Sequence, residues 1–221
     1  MSTTPATAPP VTLAPPGPGP LARIYGLDIE TDTTVDGLDP VSSPVVTAAL
    51  STAEADEVFT GTEPAILRAL DDRLRTLAPG VVATWNGAVF DLPFLADRAA
   101  ACGVALGLRL TPDPTVVTRH DPLPGHAGAY RARWYAHGHL DAYRVYRADV
   151  GPLLRVSCSL KAIARVVGLV PVEVDRERIH DLPPALLAAY VASDARLARE
   201  LTERRWPGIA RAVDQPVAPP R

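Results

Sequence analysis

The chain has two cysteines in 221 residues and no long apolar run, and these scarcities exclude whole classes of protein. Cys102 and Cys158 are too few and too far apart for a disulfide framework or a zinc-type cysteine spacing. No apolar stretch approaches the roughly 18 residues that a membrane helix needs. The first residues lack the basic and apolar segments of a secretory signal. We therefore expect a cytoplasmic protein that does not associate with membranes.

An excess of positive charge is also missing. Lysine and arginine total 22 against 25 aspartates and glutamates, which gives a formal net charge of -3. Proteins that bind nucleic acid by neutralising phosphates alone are normally basic. A nucleic-acid role must therefore depend on bound metal or on a local basic strip. The candidates for such a strip are Arg131, Arg133, Arg144, Arg147 and Arg155.

The two ends of the chain differ in composition from the middle. Residues 1–22 carry no charged side chain, and seven of the first twenty residues are proline, which disfavours helices and paired strands. We predict a disordered Pro/Ala-rich tail over 1–22 and a flexible end over 207–221. Residues 23–206 then form a single domain, in line with about 150 residues for an average domain.

Hydrophobic periodicity predicts a mixed α/β sheet in this domain. Helix-type spacing appears after Thr62, from Asp91, from Ser157 and over 184–205, with Asp91 and Ser157 as possible caps. Short apolar runs predict strands over 23–30, 45–50, 57–60 and 81–85. Prolines break up residues 110–138, which we leave unassigned. Strands that alternate with helices favour a sheet covered by helices on both faces.

Four carboxylates occupy positions that should be apolar. Asp28 and Glu30 lie two apart at the end of a buried strand and so share a face. Asp91 stands at a strand–loop–helix junction, and Asp194 interrupts the apolar stripe of the last helix, one turn after Tyr190. Taken singly, Asp91 could be a helix cap and Asp194 could pair with an arginine. Converging together, the four acids favour Mg²⁺ or Mn²⁺, which prefer oxygen ligands.

Three segments resemble the motifs of DEDD-type 3′–5′ exonucleases, in the branch with tyrosine four residues before the last aspartate. They are Asp28-Ile29-Glu30-Thr31, Asn86 to Pro93, and Tyr190 to Asp194. The second resembles the proofreading domains of family B DNA polymerases and their stand-alone bacterial relatives. The resemblance implies a ribonuclease-H-like fold and metal-dependent removal of nucleotides from the 3′ end of single-stranded DNA or RNA. A separate polymerase or repair protein is a possible partner.

The resemblance also implies roles for individual residues. Asp28, Glu30 and Asp194 would hold a catalytic Mg²⁺ or Mn²⁺, and Asp91 would support a second ion that Asp28 bridges. Two such ions about 3.5–4 Å apart suit an in-line displacement. Tyr190 would orient the attacking water, since a group with a pKa near 10 is a poor base at neutral pH. The residues that would contact the substrate are Thr31, Asn86, Phe90 and Lys161. Packing of Phe90 in the core and exposure of Lys161 on a solvated helix face stay open as alternatives.

Two competing interpretations remain. His137-Gly138-His139-Leu140-Asp141 resembles the start of a metallo-β-lactamase zinc motif, but Ala142 stands where that motif continues with histidine. Asp141 can instead cap a helix or support the residues of the acidic site. His120 and His126 are expected at the surface. The other alternative is a nucleic-acid-binding module that kept the fold and lost the chemistry.

Overall fold

A computed structural model describes residues 23–118, 121–150, 153 and 155–209 of the chain. The predicted N-terminal tail and residues 210–221 of the predicted C-terminal end lie outside these ranges, as does His120. The strands are β1 (Ile24–Thr31), β2 (Val45–Ser51), β3 (Asp56–Phe59), β4 (Val81–Thr84), β5 (Leu108–Pro112), β6 (Tyr130–Trp134) and β7 (His137–Asp141). The helices are α1 (Glu63–Thr76), α2 (Asp91–Ala101), α3 (Ala142–Ala148), α4 (Leu160–Val166), a 3₁₀ helix (Arg176–Asp181) and α5 (Pro184–Ile209).

The described strands form one seven-stranded sheet in the order β3-β2-β1-β4-β7-β6-β5. β1, β4 and β7 are mutually parallel at its centre, and the outer strands pair antiparallel. Carboxyl ends of parallel strands meet at one edge of a sheet, which is where open α/β sheets bind ligands. The acids at the end of β1, the loop after β4 and Asp141 at the end of β7 therefore lie at the same edge.

Helices cover both faces of the sheet, as predicted. On one face, Leu27 and Ile29 of β1 join a core that includes Leu67 and Leu70 of α1 and Leu95 of α2. Against the other face packs α5, the helix that carries Asp194. This mixed sheet between helices confirms the α/β single-domain architecture.

Gly26 sets the distance between β1 and α5. A Cβ atom at this position would lie 1.9 Å from the carbonyl oxygen of Ala195, so only glycine permits the observed approach. Gly26, Asp28 and Glu30 alternate onto the same face of β1, and Asp194 directly precedes Ala195 in α5. The close approach at Gly26 thus brings Asp194 against the two acids of the strand.

Several helix ends differ from their prediction. The side chain of Asp91 is no cap, because Phe90 occupies the N-cap position and Asp91 is the first helical residue. The predicted cap Ser157 accepts instead from the backbone N–H of Ser159 at 3.2 Å, which closes the preceding turn. Ser159 then caps α4 by accepting from Ala162 N–H. The last helix continues to Ile209, four residues beyond its predicted end.

The unassigned segment contains most of β5 together with β6 and the start of β7. β5 tolerates Pro112 because it is an edge strand, where a missing N–H need not break a ladder. None of the described helices is both long and apolar enough to span a bilayer.

Candidate functional site

Three predicted acids form a close group at the carboxyl edge of the sheet. Asp28 and Glu30 of β1 and Asp194 of α5 each offer a carboxylate oxygen, and these oxygens lie within 4.8 Å of one another. A register shift between Glu30 and Thr31 interrupts the pairing of β1 with β2 beside the acids. Irregularities of this kind are frequent next to active sites, where they redirect side chains. These acids line a cavity at the edge of the sheet. Asp91 lines this cavity as well, but it does not belong to the close group.

The electrostatics of this group disfavour its charged form in the metal-free protein. Burial, and then the charges of Glu30 and Asp194, raise the pKa of Asp28 well above its usual value. Burial and the charge of Asp194 raise the pKa of Glu30 to about 8, and burial raises the pKa of Asp91 to about 7. Each acid would ionise more readily if a cation lay among the carboxylates.

The same residues fit a divalent cation. The Oδ1 atom of Asp194 is buried and has no hydrogen-bond partner among the residues that the structure describes. A buried carboxylate oxygen without a partner is costly, and coordination of a metal would satisfy it. An all-oxygen, anionic set of ligands suits a hard ion such as Mg²⁺ or Mn²⁺.

Lys161 faces this site and not the solvent. Its Nζ atom lies 3.3 Å from Oδ2 of Asp194, with 17% of the side chain exposed. The same ammonium lies 3.7 Å from the centroid of the Tyr190 ring. Burial lowers the pKa of Lys161, and the charge of Asp194 opposes that shift. The solvated-face alternative for the only lysine is therefore wrong.

Tyr190 is buried on α5, one helical turn before Asp194. Burial, followed by the charges of Glu30 and Asp194, raises the pKa of its hydroxyl above the usual value. A phenol of this kind stays neutral at physiological pH. It can position a water by hydrogen bonding, and it is a poor acceptor of a proton.

The predicted substrate residues line the surrounding cavity, whose volume is about 1280 Å³. Thr31 donates its hydroxyl to the carbonyl of Gly37 at 2.6 Å, so that hydrogen is already engaged. Asn86 has a positive φ of 72° and donates its backbone N–H to Asp141. Phe90 is half-buried, packs against the tilted ring of Phe94 and lines the cavity, so its ring is both packed and accessible.

A second cavity of about 680 Å³ adjoins the first. The residues that line both are Leu38, Asn86, Phe90, Tyr143 and Arg147. Its walls include apolar side chains from the segment between β5 and β6, such as Val116 and Leu123. Together the two cavities form one extended recess at the edge of the sheet.

The five arginines proposed as a basic strip do not all line the cavities. Nε of Arg131 and Nη1 of Arg144 lie 3.3 and 3.6 Å from Oδ2 of the buried Asp113. These ion pairs hold the start of the segment between β5 and β6. Arg144 lines the second cavity and Arg147 lines both, whereas Arg133 and Arg155 line neither.

Arg176, which no sequence pattern singled out, lines the cavity that contains the four acids. It is the first residue of the 3₁₀ helix and is exposed. Its charge lowers the pKa of all four acids, and in each case burial outweighs it. No motif or periodicity marks this position, and only tertiary structure brings it to the acids.

The histidine motif serves the fold and not a metal. His137 donates Nε2–H to the carbonyl of Leu74, and His139 shares a hydrogen bond with the hydroxyl of Thr84, both at 2.8 Å. The carboxylate of Asp141 accepts from three backbone N–H groups: those of Asn86, Ala88 and Tyr143. Asp141 is thus the cap of α3, as one alternative predicted. Within the described ranges, Asp28, Glu30 and Asp194 are the single group of three side chains close enough to hold a metal ion, and the histidines belong to no such group, which contradicts the zinc interpretation.

His126 departs from its expected surface position. One ring nitrogen lies 2.8 Å from Asp97 and the other 2.7 Å from the hydroxyl of Tyr130, and only 12% of the side chain is exposed. The histidine thereby fastens the β5–β6 segment to α2.

Comparison with known proteins adds relatives of one kind. The family described as DNA polymerase family B, exonuclease domain, matches residues 42–163, more than half of the chain. A catalytic subunit of DNA polymerase epsilon from Eremothecium gossypii is 30% identical over 139 residues, which are 60% of this chain and 6% of that protein. A catalytic subunit of DNA polymerase epsilon from Arabidopsis thaliana is 32% identical over 137 residues, with the same coverage.

Among solved structures, the family B DNA polymerase of the hyperthermophilic archaeon Pyrobaculum calidifontis superimposes with a TM-score of 0.68 at 26% identity. The match covers 85% of this chain and 25% of the polymerase. The chain therefore corresponds to a small part of each relative. The family match includes Asn86, Asp91 and Lys161, while Asp28, Glu30 and Asp194 fall outside its limits.

Proposed function

The chain belongs to the family of exonuclease domains of family B DNA polymerases, and from this membership we propose that it removes nucleotides from the 3′ end of single-stranded nucleic acid. The observation that carries the proposal is the group of Asp28, Glu30 and Asp194, whose oxygens lie within 4.8 Å of one another beside Tyr190. All four acids of the motifs are present, which argues against a binding module that has lost its chemistry.

The acids would hold two divalent ions. Asp28, Glu30 and Asp194 are suited to one ion by their proximity, and Asp91 in the same cavity is suited to support a second. When bound, such ions activate water and stabilise the leaving 3′ oxygen in an in-line displacement. The raised pKa values of the free acids imply that binding releases protons.

The protein's own groups would orient the reactants. The neutral Tyr190 hydroxyl would hold the attacking water by a hydrogen bond. Lys161, paired with Asp194 and placed over the Tyr190 ring, would fix both groups in position and offset the negative charge of the phosphate. Asn86 and Phe90, at the junction of the two cavities, would contact the terminal nucleotides.

The substrate would be a single strand, because both cavities are recesses lined by side chains that can meet unstacked bases. Aromatic rings for stacking are present in Phe90 and Tyr143, which line both cavities. DNA and RNA both fit this description. The named relatives are DNA polymerases, so we propose a separate polymerase or repair protein as the partner of this chain.

The test is a degradation assay with matched 5′-labelled single-stranded DNA and RNA. We expect gradual shortening from the 3′ end with Mn²⁺ or Mg²⁺, and no reaction with chelator. A blocked 3′ end should resist. Cutting of a circular strand, or activity that survives chelator, would contradict the proposal.

A further inference from the structure

Arg176 lies on a short turn that forms part of the wall of the catalytic cavity. Arg176 and Ile179 both line this cavity, and a kink at Arg178 separates them. Ile179 is 3% exposed and anchors the turn. A hydrogen bond of 2.9 Å between His180 Nδ1 and the hydroxyl of Thr33 ties the turn to the segment that follows β1. The turn that begins at Arg176 is therefore held in place through Ile179 and His180.

The cations of this cavity differ in what they already bind. Lys161 is paired with Asp194, and Arg147 donates to the hydroxyl of Tyr143 at 2.5 Å. Arg176, in contrast, makes no side-chain hydrogen bond and no ion pair within 4 Å among the described residues. Its guanidinium is exposed and its donors remain available, although four carboxylates share the same cavity.

Resting on the proposed exonuclease function, we propose that Arg176 donates to the non-bridging oxygens of the scissile phosphate and stabilises the transition state of its hydrolysis. Phosphoryl transfer spreads negative charge over these oxygens in the transition state. A guanidinium has five donors in a planar fork that matches them. The site otherwise presents four acids to an anionic substrate, so a free cation at this place opposes their repulsion.

A purely structural role fits Arg176 less well. An arginine that served to neutralise the buried acids would be held against one of them, as Lys161 is against Asp194. Exposed cations without close partners add little to folding stability. The position and the free donors of Arg176 are instead those of a group that waits for a ligand.

The structure offers a matched control on the same turn. Arg178 is paired with Asp181 at 2.8 Å, its side chain is 67% exposed, and it does not line the catalytic cavity. We would compare Arg176→Ala, Arg176→Lys and Arg178→Ala by single-turnover cleavage of a 5′-labelled oligonucleotide at saturating Mn²⁺ and protein. Oligonucleotide affinity would be measured by fluorescence anisotropy in an Asp28→Asn background, which prevents cleavage. The rise in melting temperature with Mn²⁺ gives a readout apart from activity.

We expect Arg176→Ala to slow cleavage roughly 100-fold, the size of effect seen when one donor to a developing oxyanion is removed. Arg176→Lys should recover part of the rate, since an ammonium keeps the charge and loses the fork. Arg178→Ala should stay within about twofold of wild type. Oligonucleotide affinity should change less than the rate, and Mn²⁺ should still raise the melting temperature of every variant that retains Asp28.

Equal rates for Arg176→Ala and wild type would overturn the inference. So would an equal loss in Arg178→Ala, which would assign the effect to the turn, or a loss confined to affinity with an unchanged saturated rate. A wild-type protein that does not cleave would refute the proposed function itself, which separates the two failures.

Discussion

Glu63 and the acids at the sheet edge are largely shielded from solvent but have opposite surroundings. Glu63 of α1 accepts two hydrogen bonds from Arg98, at 2.8 and 2.6 Å, and others from Val45 N–H and the Cys102 thiol. Burial alone would raise the pKa of Glu63, but the bonds from Arg98 and Val45 hold it below its usual value. Asp28 and Glu30 are buried beside other acids, and their pKa values are raised.

The difference separates an acid that serves the fold from the acids that we propose bind a metal. Glu63 and Arg98 connect α1 with α2 and β2, and Arg98 also donates to the carbonyl of Pro40 at 2.8 Å. That network is complete within the protein. The group at the sheet edge has more acids than paired cations, and Oδ1 of Asp194 has no partner among the described residues. We expect it to be completed by metal, at a cost in stability until the metal binds.

The largest expected effect on activity comes from the acids at the sheet edge. Asp28→Asn should lower exonuclease activity by at least about 1,000-fold, because losing a metal ligand removes several kcal/mol of charge stabilisation. The metal-free variant should be as stable as wild type or more so, since repulsion among the acids is relieved. Single-turnover cleavage and chemical denaturation in chelator measure the two quantities. A large loss of stability would show that Asp28 has the structural role that we assign to Glu63.

Tyr190 gives a sharper test of the same group. Tyr190→Phe keeps the ring beneath Lys161 and removes only the hydroxyl. If the hydroxyl holds the attacking water, the chemical step should slow by roughly 10- to 1,000-fold. Mn²⁺ affinity should hardly change, since the phenol is not a ligand. Single-turnover cleavage at saturating Mn²⁺ decides the point, and equal rates would leave Tyr190 as packing alone.

Substitution of Glu63, whose hydrogen bonds are complete within the protein, should affect stability and not activity. Glu63→Gln should lower the free energy of unfolding by about 3 kcal/mol, because Arg98 keeps its charge and loses its partner. Activity per folded molecule should change little. Glu57→Gln is the control: Glu57 pairs with Arg73 while 33% of its side chain is exposed, so about 1 kcal/mol or less is expected. Urea denaturation of both variants tests the contrast, and equal losses would refute it.

The sequence predicts the acids at the sheet edge better than it predicts the network around Glu63. Asp28, Glu30 and Asp194 are conspicuous because each interrupts an apolar pattern of a strand or helix that was itself predictable. Glu63 looks like an ordinary acid in the first turn of α1, and only the arrangement of α2 beside α1 reveals its role. Arg176 and the β5–β6 pair were missed for the same reason. Their places depend on tertiary contacts, which leave no local periodicity.

The last expected effect is a difference in the pH dependence of stability. Glu30 has a pKa of about 8 in the folded, metal-free protein and about 4.5 when unfolded, so between these values the folded state binds more protons. Stability in chelator should therefore fall as pH rises from about 4.5 to about 8. Glu63, whose pKa is lowered by folding, should lose its contribution to stability only as pH falls through the acidic range.

Melting temperatures from pH 4 to 8 in chelator measure the slope assigned to Glu30. Asp28→Asn should flatten this slope, because the raised pKa of Asp28 no longer contributes to it. Saturating Mn²⁺ should abolish or reverse the slope, because the metal keeps the acids ionised. A slope that Asp28→Asn and Mn²⁺ leave unchanged would have to arise elsewhere in the molecule.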